Sequence, residues 1–145
     1  MSNVEDFLTA EDEEAIIAAI RKAELTTSGE IRVHIERTTT EDPYTHALEI
    51  FHFLKMDNTI DRNGVLIYIA VDLKKFVICG DKGIDAVVPD NFWDVTRDKM
   101  QEQFRHGKFR DGIIAGILSA GDQLQHYFPW DKNDINELPD DISKG

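Results

Sequence analysis

The chain has 145 residues, 41% of them hydrophobic, a size and composition suited to one compact domain with its own apolar core. Its 28 acidic residues outweigh 16 lysines and arginines to give a formal charge of −12, which argues against a nucleic-acid partner: phosphate binding needs a basic stripe, and no Lys/Arg cluster here is longer than a pair. A single cysteine, Cys79, excludes an internal disulfide and any multi-cysteine metal site. The longest apolar runs, Val65–Val71 and Ile113–Leu118, fall far short of the roughly 20 residues that span a bilayer. The acidic start, Met1 to Asp6, lacks the basic region of a secretory signal, so the expectation is a cytoplasmic protein with no membrane span.

The first helix is announced by Thr9, an N-cap followed three residues later by Asp12. Glu11–Glu14 crowd the positive end of its dipole, and Arg21 and Lys22 sit near the negative end. Ile16, Ile20 and Ala23 give its apolar stripe, with Ile17 beside them. Glu30 to Arg37 alternates, with Ile31, Val33 and Ile35 on one face and Arg32, His34 and Glu36 on the other, as a strand with one buried face does. The next helix opens with Asp42 as N-cap and Pro43 at the first helical position, and Ala47, Ile50, Phe51 and Leu54 supply its core face.

Gly64 to Val71 is a continuous β-branched and aromatic run, the pattern of a strand buried on both faces by helices. Strand, helix and strand within about 40 residues form a βαβ unit with parallel strands and a right-handed crossover. Asp72-Leu73-Lys74 is long enough only for a hairpin, so Lys75–Cys79 is expected to return antiparallel. Past Gly80, Asp90 is placed as the cap of a helix whose Phe92, Val95, Met100 and Phe104 face inward and which Gly107 ends. A last helix from about Phe109 buries Ile113, Ile114, Ile117, Leu118 and Leu124. Gly112 and Gly116 on one side of it are expected to admit a neighbouring backbone. The predicted fold is α/β, a three-layer α/β/α sandwich around a small mixed sheet with about four helices. It divides into a domain over residues 1–130 and a disordered, dispensable acidic tail over 131–145.

Strand direction then locates a candidate site. Two parallel strands start at one edge of the sheet, and the antiparallel third strand finishes there. The loops at that edge carry Glu30, Asp57, Asp61, Asn63, Asp81 and Asp85, five carboxylates and one amide. Calcium takes six to eight oxygens from such groups, backbone carbonyls and water, and magnesium draws on the same donors. Thr59-x-Asp61-x-Asn63-Gly64 imitates the start of an EF-hand loop but lacks the acid at position one, where Thr59 stands, and the bidentate Glu at position twelve, where Ala70 stands. The bland reading is that these acids cap helices, make turns and face solvent. The histidines form no pair at zinc-ligand spacing with a third partner, His34 reads as a packed or solvated residue, Cys79 reads as a small core hydrophobe, and no nucleophile–base pair is assigned.

At Ser28-Gly29-Glu30-Ile31-Arg32-Val33, Arg62-Asn63-Gly64-Val65-Leu66-Ile67, Gly80-Asp81-Lys82-Gly83-Ile84 and Phe104–Gly121, the chain resembles the TPM domain family, over roughly residues 8–128. The likeness is to the compact single-domain bacterial members. The family is named for a thylakoid lumen protein, a photosystem II repair protein and a nematode receptor-modulating protein. The resemblance implies an α/β/α sandwich. It also implies calcium binding, described for some members, or acid phosphatase activity, described for a plant member. Asn63-Gly64 and Gly80–Gly83 fall where the family places its functional loops. Three readings stay open: a calcium-binding module serving protein assembly or quality control with a protein partner, a metal-dependent phosphatase, and a plain protein-interaction domain.

Overall fold

The computed structural model describes residues 8–130 and 142–144. In chain order these form α1 (Ala10–Glu24), β1 (Glu30–Glu36), α2 (Pro43–Phe53), β2 (Gly64–Ala70), β3 (Lys75–Gly80), α3 (Lys82–Asp85), α4 (Asp94–Arg105), α5 (Phe109–Leu124) and β4 (Ile142–Lys144). The strands make one mixed sheet in the order β3-β2-β1-β4. β1 and β2 are parallel, with Glu30 opposite Gly64 and Ile35 opposite Ile69, while β3 runs antiparallel to β2, with Val65 opposite Gly80.

The period-two alternation of β1 sorts its side chains onto two different layers. Ile31, Val33 and Ile35 join Val65, Ile67 and Ile69 of β2 in a core closed by α1 through Ile16 and Ile20, by α4 through Met100, and by α5 through Ile113 and Ile117. Leu66, Tyr68 and Ala70 of β2, with Cys79 of β3, pack on the opposite face under Ala47 and Phe51 of α2. Every position of β2 is buried, as its unbroken apolar run predicts. The five helices therefore divide unequally, with α2 covering the second face.

Local signals at the helix ends act as the sequence dictates. Thr9 Oγ1 accepts from the Asp12 N–H at 3.0 Å and the Asp12 carboxylate accepts from the Thr9 N–H at 3.0 Å, completing the capping box. The Asp42 carboxylate accepts from the Thr45 N–H at 3.1 Å, one residue before Pro43 opens α2. Further on, expectation and structure part in detail. α4 begins at Asp94 rather than at Asp90, after a turn in which Phe92 and Trp93 pack edge to face at 4.7 Å. That shift of frame buries Thr96, which bonds Ser119 at 2.8 Å, and turns Val95 outward. The space opened by Gly112 and Gly116 is filled by side chains instead of backbone: added methyl carbons there would meet the Phe104 ring at 2.3 Å and Met100 Sδ at 2.5 Å.

The expected disorder of the tail is corrected at one place. Residues 131–141 and 145 lie outside the described residues, but Ile142–Lys144 form β4, pairing parallel with Val33–Ile35. Ile142 is buried in the larger core, Ser143 Oγ bonds His34 Nδ1 at 2.9 Å, and Lys144 forms an ion pair with Glu13. Composition missed this because a single apolar residue carries the segment. Deleting residues 142–145 should lower stability by about 1.5–3 kcal/mol, the worth of one buried isoleucine. Urea denaturation measures it, and an unchanged midpoint would mean that β4 contributes nothing.

Candidate metal centre at the sheet edge

The parallel-then-antiparallel order of β1, β2 and β3 does bring three loops to one edge, and backbone hydrogen bonds stitch them together. The Glu30 N–H donates to the Asn63 carbonyl at 3.3 Å, Asp81 N–H to the Gly64 carbonyl at 3.0 Å, and Gly83 N–H to the Arg62 carbonyl at 2.8 Å. Asn63 Nδ2 reaches Ser28 Oγ at 3.3 Å, and its own N–H is received by Thr59 Oγ1 at 3.3 Å. The approach at Gly83 is so close that an added methyl carbon would stand 2.1 Å from the Asp61 carbonyl oxygen. Arg62 takes a left-handed conformation, φ 50°, where the loop folds back over α3.

The six predicted residues separate into an inner and an outer group. Glu30, Asn63 and Asp81 are 4%, 1% and 5% exposed, and they stand at the start of β1, just before β2 and just after β3. Asp81 Oδ1 accepts from the Lys82 N–H at 2.7 Å, while Oδ2 has no hydrogen bond and lies 3.4 Å from Arg62 Nε. Asn63 Oδ1 is likewise buried without a hydrogen-bond partner. Asp85 lies one turn along α3 and is exposed overall; partial desolvation of its carboxyl, with the negative charge of Asp81, holds its pKa above the usual carboxylate value. Asp61 is exposed, and Asp57 faces His52 Nδ1 at 3.7 Å, beyond the inner group. Among the described residues, no three His, Cys, Asp or Glu ligand atoms at this edge converge within 4.8 Å, so a cation here would rely on Asn63 and backbone carbonyls as well.

A TPM domain model matches residues 1–123 of the chain. The chain belongs to the TPM domain family. It is similar to the BA42 protein of the psychrophilic bacterium Bizionia argentinensis, at 59% identity, with all of both chains covered and a TM-score of 0.94. The N-terminal domain of a P. gingivalis protein matches 84% of this chain and 79% of its own at 19% identity and TM-score 0.70. The N-terminal domain of cg2496 from Corynebacterium glutamicum matches 95% and 81% at 14% identity and TM-score 0.64. These two show a shared fold. No curated protein matches the chain in sequence. Among the described residues of this TPM domain, no helix is long and apolar enough to cross a membrane.

At the other end of β1 the TPM domain holds a polar network that the linear sequence did not reveal. Glu36 accepts from Tyr68 Oη at 2.7 Å, His34 Nε2 stands 3.0 Å from its Oε1, and His46 Nε2 stands 3.0 Å from its Oε2. Burial alone would raise the Glu36 pKa, but hydrogen bonds from His34, Tyr68 and His46 hold it below the usual value. Burial also raises the Tyr68 hydroxyl pKa, with Glu36 adding to the effect, and pushes the Cys79 thiol up to about 12, which suits a core residue. His34 is packed, as expected, with its ring stacked on Tyr68 at 5.9 Å. The missed signal was His46-x-x-Glu49, two polar residues three apart on a helix that otherwise reads as apolar.

Two outcomes follow from this geometry. Gly83→Ala should cost about 1–3 kcal/mol, because the opposing atoms are backbone and do not yield as a side chain would. Amide shifts in the 59–64 loop should accompany the loss; a stable variant with an unchanged spectrum would place the two loops further apart. His34, whose pKa burial lowers, should titrate in imidazole NMR below its unfolded value of about 6.5. As pH falls through that unfolded value, the unfolded chain takes up a proton that the folded ring resists, so His34 makes acid destabilising. Titration at or above the ordinary value would contradict its burial.

Proposed function

We propose that this TPM domain is a divalent-cation-binding module, with calcium the ion that its loop edge suits best. The observation that carries the reading is the pair of buried oxygens, Asn63 Oδ1 and Asp81 Oδ2, left without hydrogen bonds where three loops meet. An unsatisfied buried polar group costs about 1–3 kcal/mol, so Asn63 Oδ1, beside an Asp81 Oδ2 whose partner is the long Arg62 contact, favours a ligand that takes oxygen donors. Calcium does so at 2.3–2.6 Å with irregular geometry, whereas magnesium demands a near-ideal octahedron, which these loops do not supply as readily. Arg62 Nε stands 3.4 Å from Asp81 Oδ2 and supplies a counter-charge beside it. Glu30 is buried at the same edge, Asp61 and Asp85 are exposed on the adjoining turns, and Asp57 stands against His52 Nδ1 at 3.7 Å. A binding role in assembly or quality control with a protein partner fits an acidic chain better than turnover does, because Arg62, the cation nearest the cluster, is engaged with Asp81 and not offered to a phosphate.

A cation that binds only the folded edge stabilises it by about 2.7 kcal/mol at a hundred times its dissociation constant. For a domain of this size that raises the melting temperature by roughly 5–10 °C. Asp81→Asn keeps an oxygen for the Lys82 N–H and removes one charge, so it should leave calcium-free melting nearly unchanged and shrink the calcium shift. Thermal melts of both proteins in EDTA and in millimolar calcium decide the matter. An equal shift in both would move the ion elsewhere, and no shift in the wild type would leave the plain interaction domain. Metal-dependent turnover of p-nitrophenyl phosphate at ordinary enzyme rates would favour the phosphatase instead.

A further inference from the structure

The seven residues of β1 place Glu36 roughly 20 Å from Glu30, so the polar network at its far end is separate from the loop edge. Glu41, in the turn before α2, and His46 and Glu49, three apart on α2, bring one ligand atom each within 4.8 Å of one another. His46 Nδ1 lies 3.2 Å from Glu41 Oε2 and 3.6 Å from Glu49 Oε2. A tetrahedral zinc centre with bonds of about 2.0–2.1 Å separates its ligand atoms by about 3.3–3.4 Å, and the two measured separations bracket that value.

A second feature is independent of this trio. The other ring nitrogen of His46 faces Glu36, whose side chain is 13% exposed and is pinned in turn by Tyr68 Oη and His34. With the Nε2 side held by Glu36, Nδ1 is the nitrogen that a metal would take, in exchange for the proton it shares with Glu41 Oε2 at 3.2 Å. Metal-bound histidines are oriented by such an outer carboxylate as a rule. Glu36 lies outside the trio and is anchored in the sheet, so it holds one side of the ring independently of the exposed glutamates.

We propose that Glu41, His46 and Glu49 form a site for a divalent transition metal of the zinc class, held by His46 Nδ1 and one oxygen from each glutamate. An imidazole donor selects zinc-like ions over calcium, which prefers oxygen alone. Three protein ligands leave a position for water or for a side chain of another protein. Glu41 and Glu49, 44% and 55% exposed, have the freedom to close onto the ion.

The test is titration of the full chain with zinc chloride, followed by calorimetry and by amide and imidazole NMR. One ion per chain is expected, with shifts at Glu41, His46 and Glu49. His46→Ala and the surface variant Glu49→Gln should each weaken zinc at least tenfold, and Glu36→Gln by about 10–100-fold. Asp81→Asn should leave zinc affinity unchanged, which separates this site from the calcium edge. Glu49→Gln, being exposed, keeps the test decisive if His46→Ala folds poorly. Equal zinc binding in wild type and Glu49→Gln, shifts confined to His52, His106 or His126, or no binding by the wild type would overturn the proposal and leave His46 as a bridge between carboxylates.

Discussion

Strand β2 is buried at all seven positions, and the need to cover it on both faces and along both edges organises the rest of the molecule. A parallel neighbour on one side requires a crossover, which becomes α2 and seals one face. A tight hairpin on the other side makes β3 antiparallel. The remaining helices must then close the opposite face, where α5 fits beside α4 and α1 only because Gly112, Gly116 and Gly121 remove side chains at the contact lines. Strand direction is thus fixed by burial, and the convergence of loops follows from strand direction. No separate cause is needed for the meeting of Glu30, Asn63 and Asp81.

Much of this was legible because the signals were local. Thr9 with Asp12, Asp42 with Pro43, and the alternation of β1 are readable within a few residues, and the loop edge needed only the rule that parallel strands start together. The start of α4 was misread because Asp90 resembles a cap while the side chains of Phe92 and Trp93 settle the turn through packing. β4 was invisible because its partners come from β1, more than a hundred residues earlier. The Glu36 network draws on positions 34, 36, 46, 68 and 143, and no single window holds three strands and a helix. The placing of the three loops at one edge was legible, but the division of their acids into buried and exposed was not, since turn residues of identical type differ only in what covers them.

β1 carries opposite chemistry at its two ends. Its first residue joins the Asn63 carbonyl through its own N–H, at the edge where Arg62 pairs with Asp81. Its last residue sits among two imidazoles and a phenol. The uneven cover of the sheet explains the difference. On the α2 face, a short helix leaves Arg32 and Glu36 part-exposed and His34 buried among polar partners, whereas the apolar residues of the same strand are sealed by three helices. One strand therefore separates two electrostatic environments by its own length.

The pairing of β1 with β4 also bears on how the domain acquires its structure. β1 meets β2 after one crossover, but the His34–Ser143 contact closes a loop of 109 residues. Closure entropy rises slowly with length, by about 0.6 kcal/mol per doubling, so the final pairing is affordable once the rest exists but offers little to start from. Folding is expected to nucleate within the β1–α2–β2–β3 stretch, where contacts are nearer in sequence, and to add β4 last. In the reverse direction β4 is the segment whose release requires the least of the core to open. It behaves as a slow-arriving, first-leaving strand whose residence on β1 reports whether the sheet beneath it is intact.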